Sequence, residues 1–418
     1  MRTTLGPVVA LLVSVSILLT GQGLQTTLLP MRASLENFPT LAIGTMGAVY
    51  FLGFTIGCLK GGELIKRVGH IRVFLAMAAL ASAAPLLHGL IVQPIVWTVL
   101  RMLTGFCFAV LYVVIESWLN EQSTNENRGS IFATYVMITL TVMAVGQLMN
   151  LLYDPLGLQL FLVASVLVSI AAVPVALSTS PAPGLPESVS IDLWRLYRVS
   201  PVGAIACFCS GLATGAFWAL APVFTTAITA DVSLAAYFMA SAVIGGAVSQ
   251  WPLGVLSDRI GRRSVLAMMC LAGTVISTIV VFGADHWGFV AITVAGAVWG
   301  SIGFPLYSIA VAHSNDFAKP TEYVTVSAGL LLLYGLGAIA GPLIASICMT
   351  WFGAGGLFLF MAYVYGALVL MTLYRILRGR RPAADQHVPF ADALAAAATA
   401  SHVYEEEVQQ KALSGENS

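Results

Sequence analysis

Twelve long apolar runs divide this chain, and they decide which solvent it can fold in. They cover residues 7–30, 41–64, 71–92, 95–119, 129–152, 158–177, 201–227, 233–256, 264–283, 288–313, 322–349 and 354–376. Each is near the roughly 20 residues that a helix needs to span a bilayer. None alternates strictly between apolar and polar, so helices are expected rather than a membrane barrel. Charged residues make up only 9% of the 418, where a soluble protein carries about 25%. That is too few to coat a soluble surface, which excludes a soluble enzyme and a disordered chain. The expected fold class is an all-α integral membrane protein of twelve transmembrane helices in the lipid bilayer. The first run follows Arg2 and lacks a clear small-residue cleavage site, so it reads as a retained helix rather than a signal peptide.

The 19 Lys and Arg fall unevenly between the runs. With the N-terminus inside, all of them except Arg32 on an outer loop and Arg101 within a run lie on inner loops and tails. Basic residues favour the cytoplasmic side, so a multi-pass protein of the cytoplasmic (inner) membrane is expected, with both termini cytoplasmic. Acidic residues also number 19, so there is no basic field and no nucleic-acid partner is expected. Cys58, Cys107, Cys207, Cys209, Cys270 and Cys348 all lie in apolar runs without a CxxC pair or a nearby His set. They read as small, buried and inert, and no metal or other cofactor is expected. The sequence lacks Gly-x-x-x-x-Gly-Lys-Ser/Thr, so ATP-driven transport is unsupported. No Ser/His/Asp set or zinc-ligand cluster suggests enzyme chemistry.

The longest break, 178–200, holds Pro181, Pro183, Gly184 and Pro186 and then Asp192, Arg195 and Arg198. It reads as a cytoplasmic linker between an N-terminal six-helix bundle (1–177) and a C-terminal one (201–376). The tail, 377–418, begins basic, becomes Ala-rich and ends acidic at Glu405, Glu406 and Glu407. It reads as a mobile or partly helical cytoplasmic segment, with partner binding as the alternative.

The halves repeat each other. At an offset of 192, Gly23-x-x-x-x-Leu28-x-Pro30 matches Gly215-x-x-x-x-Leu220-x-Pro222, and Gly53, Gly62, Leu64, Arg67 and Gly69 match Gly245, Gly254, Leu256, Arg259 and Gly261. At an offset of 195, Gly105, Tyr112, Asn120 and Gly146 match Gly300, Tyr307, Asn315 and Gly341. Parallel repeats of this kind build a transporter that rocks around a site at the midplane.

The sharpest motif is Gly254-Val255-Leu256-Ser257-Asp258-Arg259-Ile260-Gly261-Arg262-Arg263. It resembles the GxLxDRxGRR loop signature of the major facilitator superfamily. Gly254 lets helices approach closely, Asp258 can serve a helix N-terminus or an arginine, and the arginines suit the inner headgroup level. The first-half copy, Gly62-Glu63-Leu64-Ile65-Lys66-Arg67-Val68-Gly69-His70-Ile71-Arg72, departs from the signature by placing Lys66 at the Asp position. A charge pair using that Asp must be absent or replaced, with Glu63 or Glu116 as substitutes. Arg101-x-x-x-Gly105 resembles the superfamily's fourth-helix motif. Gly337-x-x-x-Gly341-Pro342 resembles an antiporter-type Gly-Pro motif, displaced from its usual fifth helix, where this chain has Gly146-Gln147. The strings Tyr50-Phe51-x-Gly53, Glu116-Ser117, Asn127-Arg128-Gly129, Gln250-Trp251-Pro252-x-Gly254 and Gly303-Phe304-x-Leu306-Tyr307 resemble the YcaD branch. The resemblance runs from about 10 to 375. It implies the superfamily's fold of two six-helix bundles, alternating access and coupling to H+.

Charges within the hydrocarbon cost about 2.5–3.5 kcal/mol each on insertion scales. Arg101 lies about 9 Å into its run at 1.5 Å per residue. It reads as an anchor for an anionic substrate or as part of proton coupling, with a structural arginine as the alternative. Glu116 lies about 22 Å further along, as a gate partner for Arg67, Arg72 or Arg128 or as a protonatable site. Gln22, Gln25, Gln147 and Asn150 sit at depths comparable to Arg101, as does Trp218, while Trp299 and Tyr334 are nearer the middle. Together these could line an amide-rich, aromatic cavity with one positive charge. Interhelical glue is the alternative for each amide, and packing for each Trp. His313 reads as a helix end. The first and seventh runs hold no Asp or Glu, which ranks a cationic-drug exporter below carriers of neutral or anionic solutes.

The expected function is therefore secondary active transport of a small solute by a monomer, powered by H+. Gly62, Lys66, Arg67, Glu116, Gly254, Asp258, Arg259, Gly261, Arg262, Gly341 and Pro342 form the gating set. A drug or metabolite efflux antiporter is the first alternative, and a non-transporting membrane sensor or scaffold is the alternative of another class.

Overall fold

The computed structural model describes residues 5–123, 128–177, 196–198, 200–229, 231–318 and 323–378. Twelve helices carry the described chain: α1 (Leu5–Leu35), α2 (Thr40–Val68), α3 (His70–Leu90), α4 (Pro94–Glu121), α5 (Arg128–Leu148), α6 (Gln159–Ala176, broken at Ala171), α7 (Pro201–Ile228), α8 (Ser233–Ile260), α9 (Arg262–Gly283), α10 (Phe289–Asn315), α11 (Tyr323–Phe352) and α12 (Gly356–Arg378). All twelve are long and apolar enough to cross a membrane. No strand occurs among the described residues.

The apolar runs and these helices agree within five residues at every end. The informative differences are at α2 and α8, which run four residues past the expected ends at 64 and 256. Lys66, Arg67, Asp258 and Arg259 therefore lie on final helical turns rather than in loops. Each turn into the next helix is one glycine, Gly69 at φ 93° and Gly261 at φ 91°. L side chains rarely take that conformation, so the two glycines make the abrupt reversal possible. Arg32 likewise lies on α1 and not in an outer loop. It pairs with Glu36 at 2.7 Å and donates to the Pro155 carbonyl at 2.8 Å. The tail beyond 378, the side chain of Arg128 and all of the expected linker except 196–198 and Ser200 lie outside the described residues.

The glycine repeat marks the tightest crossings. A Cβ on Gly53 or Gly105 would strike the backbone of the other helix of the α2–α4 pair, at Met102 and Tyr50. Gly245 and Gly300 do the same between α8 and α10, against Ala297 and Ala242. Without a hydrophobic drive inside lipid, such close backbone approach is what holds helices together. One buried apolar cluster lies wholly within residues 11–175, and a larger one lies mostly within 196–368.

Call the end that carries the α2–α3 and α8–α9 turns the basic end. Several contacts between residues before 177 and those after 200 lie toward the opposite end. There Thr226 donates to Ser34 at 3.0 Å, and these two residues are themselves repeat mates at the offset of 192. Gly44 packs on Pro342 and Ser346, Gly47 on Ala219, and Ala144 with Ala240 and Val243.

Candidate functional site

A cavity of about 290 Å³ lies between the halves, bounded by α1, α2, α4, α5, α7 and α11. Its α2 wall is a single stripe, with Gly47, Tyr50, Phe51, Phe54, Thr55, Cys58 and Leu59 recurring at three- and four-residue steps. On α4, Arg101 and Tyr112 are eleven residues apart, about three turns, which returns them to one face.

Four side chains form a polar hub. Gln22 Nε2 donates to the Tyr50 hydroxyl at 2.9 Å. The Tyr112 hydroxyl donates to Gln22 Oε1 at 2.8 Å. The Arg101 guanidinium sits 4.0 Å from the centre of the Tyr50 ring, a cation–π contact that partly offsets its lost hydration. Among the described residues no carboxylate lies in ion-pair reach of Arg101, and no acceptor takes the Tyr50 hydroxyl proton. The hub therefore presents a cation and a free O–H donor to the space. Among the described residues, no Asp or Glu lines the cavity. Opposite are Trp218, which packs on Phe304 at 5.3 Å, and Tyr334, which packs on Tyr307 at 4.9 Å.

Of the expected cavity residues, Gln22, Arg101, Trp218 and Tyr334 meet there. Gln25, Gln147, Asn150 and Trp299 do not. Gln25 turns back to the Gly21 carbonyl at 3.3 Å. Asn150 donates to the carbonyls of Leu24 (3.3 Å) and Gln147 (2.9 Å), joining α5's end to α1. Gln147 is fully buried with its amide unpaired, away from the cavity. Trp299 is fully buried and stacked on Phe217 at 4.0 Å and 7°, so it belongs to the apolar core. Depth alone could not say which way each side chain faced. Tyr50, Tyr112, Thr26, Thr55 and Cys58 were missed; the α2 stripe and the Arg101–Tyr112 spacing were the available signals. Cys58, expected to be inert, is a cavity residue.

At the basic end, Arg262 is buried and lies 3.2 Å from Asp258 and 3.2 Å from Asp316. These charges tie α9 to the ends of α8 and α10 within the second half. Arg263 Nε lies 3.5 Å from His313 Nε2, with its guanidinium 5.2 Å over Phe317. In the first half, Glu63 pairs with Lys60 at 3.4 Å. Glu116 accepts from the Tyr135 hydroxyl at 3.4 Å. Arg67 and Arg259 are exposed, and Gly62 and Gly254 are buried. Gly341 lies at the opposite end, its backbone against that of Leu212, with Pro342 against Gly44.

The family model for the Major Facilitator Superfamily matches residues 11–204 and again 203–404. The chain belongs to that superfamily. A superfamily-type transporter of Enterobacter sp. (strain 638) is 29% identical over 392 residues, covering 93% of this chain and all of the relative. The YcaD transporter of Escherichia fergusonii is 28% identical over 369 residues, covering 88% and 95%. Among solved structures, the nucleoside transporter NupG superposes with a TM-score of 0.77 at 12% identity, over 91% of this chain and 100% of that one. The fucose:proton symporter FucP of E. coli gives 0.57 at 15%, over 90% and 99%. This superfamily member is thus a multi-pass membrane transporter and not an enzyme. Its fold is that of the superfamily, while Lys66 and His70 in the first half depart from the signature seen at Asp258 and Arg262 in the second.

Proposed function

We propose that this chain is a secondary active transporter that moves a small anionic or strongly hydrogen-bonding polar solute by alternating access. One observation carries the reading: Arg101 stands in the wall of a central cavity whose described lining residues include no carboxylate. A half-buried cation without a counter-ion is costly, and an anionic substrate group would supply the missing partner. Tyr50 and the Gln22–Tyr112 pair would orient that group, and Phe51, Phe54 and Trp218 would take an apolar part. A cationic substrate would meet Arg101's charge, which sets drug-cation efflux below this reading.

The moving parts are two six-helix bundles, 1–177 and 201–376, joined by the linker 178–200 and followed by the tail 377–418. The halves meet opposite the basic end, at Ser34–Thr226 and Gly44–Pro342, and again toward it, where Ala328 is buried against Cys58 and Leu59; the basic residues orient that end to the cytoplasm of a cell membrane. Coupling to H+ is supported by the name of FucP, a fucose:proton symporter, with Glu116 as the carboxylate inside a span available to carry the proton. The protein works as a monomer on this account.

Reconstituted transport tests the reading. Candidate anions are screened for uptake into proteoliposomes with and without an imposed pH gradient. Arg101→Ala should abolish the flux while the protein still inserts and elutes as a folded monomer. Unchanged flux in that variant would overturn the assignment of Arg101.

A further inference from the structure

Outside the cavity, two arginines at the basic end have no carboxylate partner among the described residues. Gly273 of α9 packs on the ring of Tyr365 of α12, and Gly366 lies against Thr274. The two helices run antiparallel. Ten residues on in each direction, that register sets Arg263 across from Arg375, at the level where both helices leave the apolar span. That shared level puts two like charges on neighbouring helices, where they repel. Neither is in ion-pair reach of a carboxylate among the described residues, since Asp258 and Asp316 are engaged by Arg262. Phe317 and His313 cover one side of Arg263. Below the arginines, exposed Met268 and Leu271 on α9 and exposed Leu370 on α12 face the lipid level.

We infer that Arg263 and Arg375 form a binding site for the headgroup of an anionic phospholipid. A phosphodiester between the guanidinium groups would cancel their repulsion and accept hydrogen bonds from both. The exposed apolar residues beneath would receive its acyl chains, which a free anion or an acidic peptide does not possess. Basic pockets between helices at the headgroup level have this chemistry in general.

Binding of fluorescent phosphatidylglycerol to the purified full chain in neutral detergent tests this. Arg263→Gln with Arg375→Gln should weaken binding at least tenfold, since each basic residue near an anionic headgroup contributes roughly 1 kcal/mol. The charge-retaining pair Arg263→Lys with Arg375→Lys should stay within about threefold of wild type, which separates charge loss from misfolding. Arg259→Gln, on an exposed neighbour, should change binding less than twofold, and phosphatidylcholine should bind equally weakly to every variant. Three results would overturn the inference. They are unaltered phosphatidylglycerol binding in the double Gln variant, an equal loss in Arg259→Gln, or displacement of the lipid by inorganic phosphate at matched concentration.

Discussion

The two halves share a backbone plan but fill it with opposite chemistry. In the first half, Gln22, Tyr50, Arg101 and Tyr112 make a polar hub. Their repeat mates are Thr214, Ala242, Gly296 and Tyr307. Where Arg101 would stand, Gly296 instead meets the ring of Phe238, and Phe217, Trp299 and Phe304 pack beside it. The basic end reverses the assignment. There the second half carries the buried ionic network Asp258–Arg262–Asp316, and the first half sets buried His70 6.2 Å from Trp118 in the position of Arg262. On the proposed reading, one half would hold the recognition chemistry, above a turn that has His70 where the other has Arg262. The other supplies an aromatic wall and a charge-braced turn. A duplicated fold lets recognition and rigidity be placed in different copies.

This division can be broken or sharpened by substitution. The largest effect is expected at Arg101. Arg101→Ala should lower substrate flux by about 100-fold or more, because a lost charged hydrogen-bonding partner costs roughly 2–5 kcal/mol, whereas Arg101→Lys should retain part of it. Trp299→Ala removes a fully buried indole and should destabilise by about 3–5 kcal/mol with substrate affinity retained. Trp218→Ala should do the reverse, weakening affinity with little change in melting. Next comes the ionic brace. Asp316→Asn removes the more buried of the two carboxylates paired with Arg262, leaves Asp258 in place, and should destabilise the protein by about 1–3 kcal/mol, read as a fall in its thermal midpoint. His70→Gln, at the equivalent first-half position, should cost less than half as much. The smallest effect is expected from Tyr50→Phe, which removes one neutral hydrogen-bonding group worth about 0.5–1.5 kcal/mol. It should weaken binding about threefold to tenfold in a titration.

The sequence made the lipid-facing architecture legible because hydropathy reports burial in the bilayer directly. All twelve runs became helices, and the glycine repeat at Gly53, Gly105, Gly245 and Gly300 proved to mark the close crossings. The motif residues were legible by kind but not by setting. Lys66 and Asp258 looked like loop residues because charge ends an apolar run, yet a helix can carry its last turn past the hydrocarbon edge. Half of the expected cavity residues faced elsewhere. Gln25 and Asn150 found backbone partners, and Trp299 found an aromatic stack. Side-chain direction at a single deep position depends on which neighbours come close, and that is a property of the packed helices. Tyr50 and Tyr112 were read only as family-string and repeat positions, because tyrosine is common in apolar runs, and their contact with Gln22 is what marks them as cavity residues.

The central claim is that the first-half hub recognises an anionic group through Arg101. The most direct test is a thermal-stabilisation screen of the purified protein against matched sets of neutral, anionic and cationic small solutes, run in parallel on wild type, Arg101→Ala and Trp218→Ala. The account predicts that stabilising compounds come from the anionic set, lose their shift entirely in Arg101→Ala and keep a reduced shift in Trp218→Ala. Stabilisation by cationic compounds, or an anion shift that survives Arg101→Ala, would contradict it.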